Sequence, residues 1–151
     1  MMTAKRLILD RFIPYRLSVT SNIVSDAIAS AYDALFGLTI PEWRLIAVVA
    51  EQDGITQQGV CTTTGMDKVT VSRAAIALVD RGLIARVRNS ADRRSRLLAL
   101  TPDGEALYAG IAPKALDFES RIFATFPRKD VDAFVAMLRS IEARARDIGA
   151  A

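Results

Sequence analysis

Residues 54–87 read GITQQGVCTTTGMDKVTVSRAAIALVDRGLIARV. Thr56 to Thr64 reads as a short helix, and Gly65-Met66 as the turn that closes it. Asp67 stands as the N-cap of a second helix, Lys68 to Arg81, which Gly82 ends. Two short helices joined by a glycine-containing turn form the helix-turn-helix pattern. Gly59 lies inside the first of them and is expected to weaken it by about 1 kcal/mol relative to alanine. The period then changes. Leu83 to Arg88 alternates as a strand, Asn89-Ser90-Ala91-Asp92 carries turn chemistry, and Arg96 to Leu100 is a second strand. The pair makes a hairpin, or wing, with Arg93 and Arg94 near its tip.

Upstream, residues 14–36 form one long amphipathic helix. Leu17, Val19, Ile23, Val24, Ala27, Ile28, Ala31 and Leu35 recur at helical spacing, with Pro14 in the first turn and Gly37 as the stop. Before it, Thr3 to Ile13 is a shorter amphipathic arm or a separate helical turn. Thr39-Ile40-Pro41-Glu42 is a capping box that opens a second helix, which runs to Asp53-Gly54. Downstream, Thr101-Pro102-Asp103-Gly104 opens a further helix towards Phe126, and Pro113 is expected to kink or interrupt it. A last helix starts near Pro127. Val131, Phe134, Val135, Leu138, Ile141, Ala145 and Ile148 make a narrow apolar stripe on it. The expected fold is mainly α: a winged helix-turn-helix with long N- and C-terminal helices and a two-stranded wing. Residues 37–101 are the winged lobe. Residues 1–36 and 102–151 are the helical region assigned to dimerisation, within one compact domain.

Composition excludes whole classes of function. The chain has 151 residues, no histidine and one cysteine, Cys61. Imidazole-based catalysis, a histidine pH switch, a histidine- or cysteine-rich metal site and an intrachain disulfide all fall away. No paired carboxylates or phosphate-cradling glycine loop stand out, so no enzyme, cofactor or metal is expected. No apolar run approaches the ~18 residues of a membrane span. MMTAKRLILD is too short for a signal-peptide core, so a soluble cytoplasmic chain with no membrane partner is expected. Cys61, between Val60 and Thr62, reads as a space-filling residue.

The net charge of +3 hides an asymmetry. Lys68 to Arg96 holds eight basic residues and two acids, Asp80 and Asp92, a local +6 that leaves −3 for the rest. Such a segment is the footprint of an element that binds a polyanion.

Two stretches, DKVTVSRAAIALVDRGLIAR (67–86) and DRRSRLLALTPDG (92–104), carry a resemblance. The chain resembles the MarR (multiple antibiotic resistance regulator) family of winged-helix transcription factors over residues 14–148. The wing signature, an Asp-x-Arg tip followed by a strand and Leu-Thr-x-x-Gly, is its most specific part. The recognition helix then presents Lys68, Thr70, Val71, Ser72 and Arg73 to the major groove of double-stranded DNA. Threonine can bond a base edge or touch a thymine methyl, and Arg73 can bond guanine or phosphate. The resemblance places Arg94 in a narrow minor groove, with Asp92 orienting the wing by an ion pair. Arg93, Arg86, Arg88 and Arg96 then serve phosphates or hold the wing, or else pair with Asp80, Asp92 or Glu105.

The C-terminal stripe, with parts of Leu7 to Tyr15 and Leu116 to Phe126, exceeds what one small winged helix can bury, and marks a partner surface. Together with the resemblance this implies a homodimer, with Val131, Phe134, Leu138 and Ile141 at its interface. Its operator is pseudo-palindromic, with half-sites about 34 Å apart. The resemblance also implies a repressor released by a small, aromatic, anionic effector. Tyr15, Ser18, Val19, Asn22, Trp43, Ile46 and Ala47 are the candidate pocket, with Arg16 and Arg44 as partners for the anion. Ordinary core packing is the alternative for the aromatic residues. The competing function is a winged-helix protein-interaction module without DNA binding. Retention of Arg73, Arg93 and Arg94 speaks against it, and the salt dependence of duplex binding distinguishes the two.

Overall fold

The structure, a computed structural model, describes residues 5–52 and 54–150, apart from the side chains at 34 and 35. The start of the arm at Thr3, the stop at Asp53 and the Leu35 side chain lie outside it. A short 3-10 turn, Leu9–Arg11, precedes α1 (Ile13–Phe36), α2 (Ile40–Glu51), α3 (Gln57–Thr64) and α4 (Lys68–Asp80). The wing strands β1 (Ile84–Arg88) and β2 (Arg96–Leu100) follow, then α5 (Pro102–Ile122) and α6 (Arg128–Ala150). Among the described residues no helix is long and apolar enough to cross a membrane.

Local chemistry sets most of the boundaries. The Thr39 hydroxyl accepts from the Glu42 amide at 3.3 Å, and the Glu42 carboxylate accepts from the Thr39 amide at 2.9 Å. This is the reciprocal capping box that the sequence predicts. Thr56 and Asp67 cap α3 and α4 by one bond each, accepting from the amides of Gly59 and Thr70; Thr56 thus stands before α3 and not inside it. Gly37 and Gly65 close α1 and α3 in the left-handed conformation. Gly59 has a packing reason to be glycine. An added Cβ would stand 2.8 Å from Ile55 Cγ1, so its helix-propensity cost admits the close approach of the preceding segment.

The chain forms two compact units, one up to Ala112 and one from Pro113 onward. In the first, Leu45, Ile46 and Val49 of α2, Val60 of α3, and Val71, Ala75 and Leu78 of α4 form the core with Ile84, Leu98 and Ile111. The strands pair antiparallel with Ile84 opposite Leu100 and Arg88 opposite Arg96. Ile55 adds an isolated bridge to Leu98: the Leu98 amide donates to the Ile55 carbonyl at 2.8 Å. This joins the α2–α3 connection to the wing, and no sequence run announces it.

Two points of α5 are settled by the structure. The interruption expected at Pro113 does not occur: the helix continues through it with one amide donor fewer. It stops at Ile122 rather than near Phe126, because 123–126 form a turn ahead of Pro127. In the second unit, α6 has no buried residue. Most of its stripe stays open to solvent: Phe134, Val135, Ile141 and Ile148 are exposed, while Val131 and Leu138 are half-buried.

Candidate nucleic-acid interface

Helix α4 is held by its inner face. Val71, Ala74, Ala75 and Leu78 are buried at spacings of three and four, and α2 and α3 pack against them. The opposite face carries Lys68, Val69, Arg73 and Ile76, all exposed, with Thr70 and Ser72 half-buried beside them. Of the five residues expected to face the groove, Val71 does not: its exposure is 0%. It belongs to the core stripe, and a helix cannot show one side chain to both sides. Val69, at 58% exposure, takes the outward place. The signal was present in the sequence, since 71, 74, 75 and 78 complete an apolar period that excludes 69 and 72.

Asp67 caps this helix at its exposed N-terminus. Its Oδ1 accepts from the Thr70 amide at 2.7 Å. That backbone bond is the main reason its carboxyl titrates below the usual range, followed by the Thr70 side chain, with a smaller contribution from the Arg73 charge. A depressed carboxyl stabilises the folded state above its ordinary range, and the gain is lost as pH falls through the lowered value. Asp67→Asn keeps an acceptor at the cap but does not titrate. Its unfolding midpoint is therefore expected to fall less than that of wild type between about pH 7 and about pH 3. Parallel urea titrations check this, and identical pH profiles would remove Asp67 from the acid response.

The wing tip is built from short polar side chains. Asn89 Nδ2 donates to Ser95 Oγ at 2.9 Å, and the Ala91 amide donates to Asn89 Oδ1 at 3.1 Å. The Arg94 amide donates to Asp92 Oδ1 at 3.0 Å. Asp92 therefore shapes the turn through the backbone and, among the described residues, makes no ion pair, where the resemblance implies one. Among the described residues the ion pairs are Arg16–Asp10 at 3.2 Å and Arg121–Asp117 at 3.4 Å. Arg86, Arg88, Arg93, Arg94 and Arg96 are all exposed, and none of them is in either pair. Arg88 and Arg96 face each other directly across the ladder. Like charges at such a position destabilise a hairpin unless an anion lies against them.

Two basic residues have other partners. Arg81 donates to the carbonyls of Gly37 at 3.0 Å and Phe36 at 3.3 Å, so it ties the end of α4 to the end of α1. Arg86 donates to Gln57 Oε1 at 3.3 Å, which links β1 to the start of α3. Neither Gln57 nor Val69 was singled out from the sequence, yet both line one hollow with Lys68, Ser72 and Arg73.

The candidate effector residues are spread over α1 and α2. Ile46 is wholly within the core. Trp43 packs between Tyr32, at 5.3 Å between ring centroids, and Tyr108, stacked at 6.2 Å. Burial pushes the Tyr32 phenol up. Tyr15, Ser18 and Asn22 are exposed on α1, Val19 and Ala47 are half-buried, and Arg44 is exposed.

A helix-turn-helix with an open recognition face, followed by an arginine-rich two-stranded wing, defines a winged-helix DNA-binding lobe. The sequence profile of the MarR family matches residues 36–95. The chain is 30% identical over 104 residues to the HTH-type transcriptional regulator YwoH of Bacillus subtilis (strain 168), covering 69% of this chain and 75% of that one. A MarR/EmrR family transcriptional regulator from Acinetobacter sp. ADP1 shares the fold with a TM-score of 0.87, over 93% of this chain and 99% of that chain, at 24% identity. CouR from Rhodococcus jostii RHA1, bound to p-coumaroyl-CoA, is 28% identical with a TM-score of 0.81, over 90% of this chain and 95% of that chain. The chain belongs to the MarR family. It is a DNA-binding transcriptional regulator and, like these relatives, not an enzyme.

Proposed function

We propose that the chain works in the cytoplasm as a homodimeric repressor on a pseudo-palindromic operator, released by a small aromatic anion. The observation that carries this reading is the apolar stripe of α6, a helix of 23 residues of which none is buried. A face of that kind on a soluble helix calls for a partner, and a second copy supplies an equal face through Val131, Phe134, Leu138 and Ile141. Residues 1–36 and 102–151 then act as the dimer-forming helices, and 37–101 as the reading lobe. Lys68, Thr70, Ser72 and Arg73 enter the major groove, and Arg93 and Arg94 reach the minor groove and its phosphates. Sedimentation at micromolar concentration is expected to give a dimer, and a monomer would defeat the assembly.

The effector part draws on CouR and its p-coumaroyl-CoA. Tyr15, Ser18, Val19, Asn22, Trp43 and Ala47, with Arg44, supply aromatic surface, hydroxyl and amide groups, and a cation. Arg16 is already engaged by Asp10. A ligand that prefers the lobe spacing unable to span two half-sites lowers DNA affinity by that difference in preference. The test is transcription from a promoter overlapping the selected operator, with p-coumaroyl-CoA and free aromatic acids as probes. Repression relieved by a probe supports the reading, and activation by the bare protein overturns the repressor assignment.

A further inference from the structure

The hollow between the start of α3 and the outward face of α4 has a definite donor pattern. Gln57, Lys68, Val69, Ser72 and Arg73 line it. Val69 leaves a branched apolar side chain open to solvent between two cations. Gln57 is held through Oε1 by Arg86 Nη2 at 3.3 Å. A guanidinium has only donors, so the amide oxygen must face it and the amide NH2 is left to donate. The hollow therefore offers a hydrogen-bond donor and a small apolar surface, flanked by positive charge.

In the major groove, thymine presents an acceptor, O4, next to the C5 methyl. Cytosine presents a donor, N4, and no methyl. We propose that this hollow reads a thymine in each half-site, with the Val69 methyl groups against its 5-methyl and the Gln57 NH2 donating to O4. Arg86 is a positioning residue: it fixes which end of the Gln57 amide faces the base. Cytosine at that place sets an amine donor against an amide donor and loses the methyl contact as well. The proposal rests on the DNA-binding reading of the same face.

The experiment uses the full-length protein and the duplex it selects from a random pool. Each thymine of that duplex is replaced in turn by deoxyuridine, which removes only the methyl, or by 5-methylcytosine opposite guanine, which keeps the methyl and replaces O4 by an amine. At one thymine per half-site, deoxyuridine is expected to weaken wild-type binding about three- to fivefold, the value of one buried methyl. At the same thymine, 5-methylcytosine is expected to weaken it about fivefold or more. Val69→Ala, which alters an exposed side chain, removes the deoxyuridine penalty and keeps the other. Gln57→Ala and Arg86→Ala do the reverse, and Arg86→Lys, still a donor, restores the 5-methylcytosine penalty. Penalties unchanged by these variants, or a selected site indifferent to both replacements, overturn the thymine reading alone. Duplex binding that does not weaken as salt rises overturns the DNA reading beneath it.

Discussion

Gly104→Ala is expected to destabilise the protein by about 3 kcal/mol or more, a fall in Tm of roughly 6–12 °C for a chain of this size. A Cβ at this position would run into the carbonyl oxygen of Leu83, with the Leu83 carbonyl carbon at 3.1 Å and Leu100 Cδ2 at 3.3 Å. The obstacle is backbone, and that backbone is pinned. The Leu83 carbonyl accepts from the Thr101 amide at 3.1 Å, and the Thr101 hydroxyl donates to the Gly82 carbonyl at 2.7 Å. Thr101 also caps α5, because its hydroxyl accepts from the Gly104 amide at 3.0 Å. Relief of the clash has to break this stitch between the entry to the wing and the first turn of α5. The control is Gly110→Ala in the same helix, where nothing stands within 4 Å of the new Cβ. It is expected to stabilise by about 0.5–1 kcal/mol, the ordinary helix-propensity gain. Thermal and urea unfolding of the two variants should move in opposite directions. Two equal, small shifts would show that α5 and the wing do not approach this closely.

Legibility in the sequence follows the range of the interaction. Caps at Thr39 and Asp67 involve residues three apart, and the residue types announce them; Thr56, which the sequence reading puts inside α3, caps it by the same spacing. The two wing strands follow from the change of period and the turn residues between them, but their register is set by the structure. The contacts that were missed are long-range. Arg81 reaches Gly37, 44 residues away, and Ile55 pairs with Leu98 through one residue on each side. Nothing local distinguishes such an arginine from the exposed arginines around it, so the +6 segment overstates the charge offered to a ligand. Asp92 shows a different limit. An aspartate two residues before an arginine can bind its side chain or its amide, and the sequence is the same in either case. The choice falls to the amide because the turn brings it to Oδ1 while the guanidinium extends into solvent. Val71 was legible and was misread: its register with Leu78 on the buried face outweighs its closeness to the helix start.

Arg94→Ala is expected to weaken operator binding about ten- to a hundredfold at about 0.15 M salt while the protein stays folded. The residue sits on a tip whose shape depends on Asn89, Asp92 and Ser95. Its own contribution to that shape is a main-chain amide, which alanine also has. Truncation therefore removes the guanidinium and leaves the turn, and stability should hardly change. The effect should have two separable parts. Loss of one cation reduces the slope of log affinity against log salt by about one. Loss of the flat guanidinium from a narrow groove lowers affinity beyond that electrostatic share. Arg94→Lys is expected to restore the salt slope and only part of the affinity. Asp92 supplies the cross-check. If it worked through an ion pair, Asp92→Asn would weaken binding, but asparagine retains an oxygen for the Arg94 amide and should bind nearly as wild type. Asp92→Ala, which removes that oxygen, should loosen the tip and bind less well. Full affinity in Arg94→Ala at moderate salt would take the wing tip out of the groove, and the operator would then be read by α4 alone.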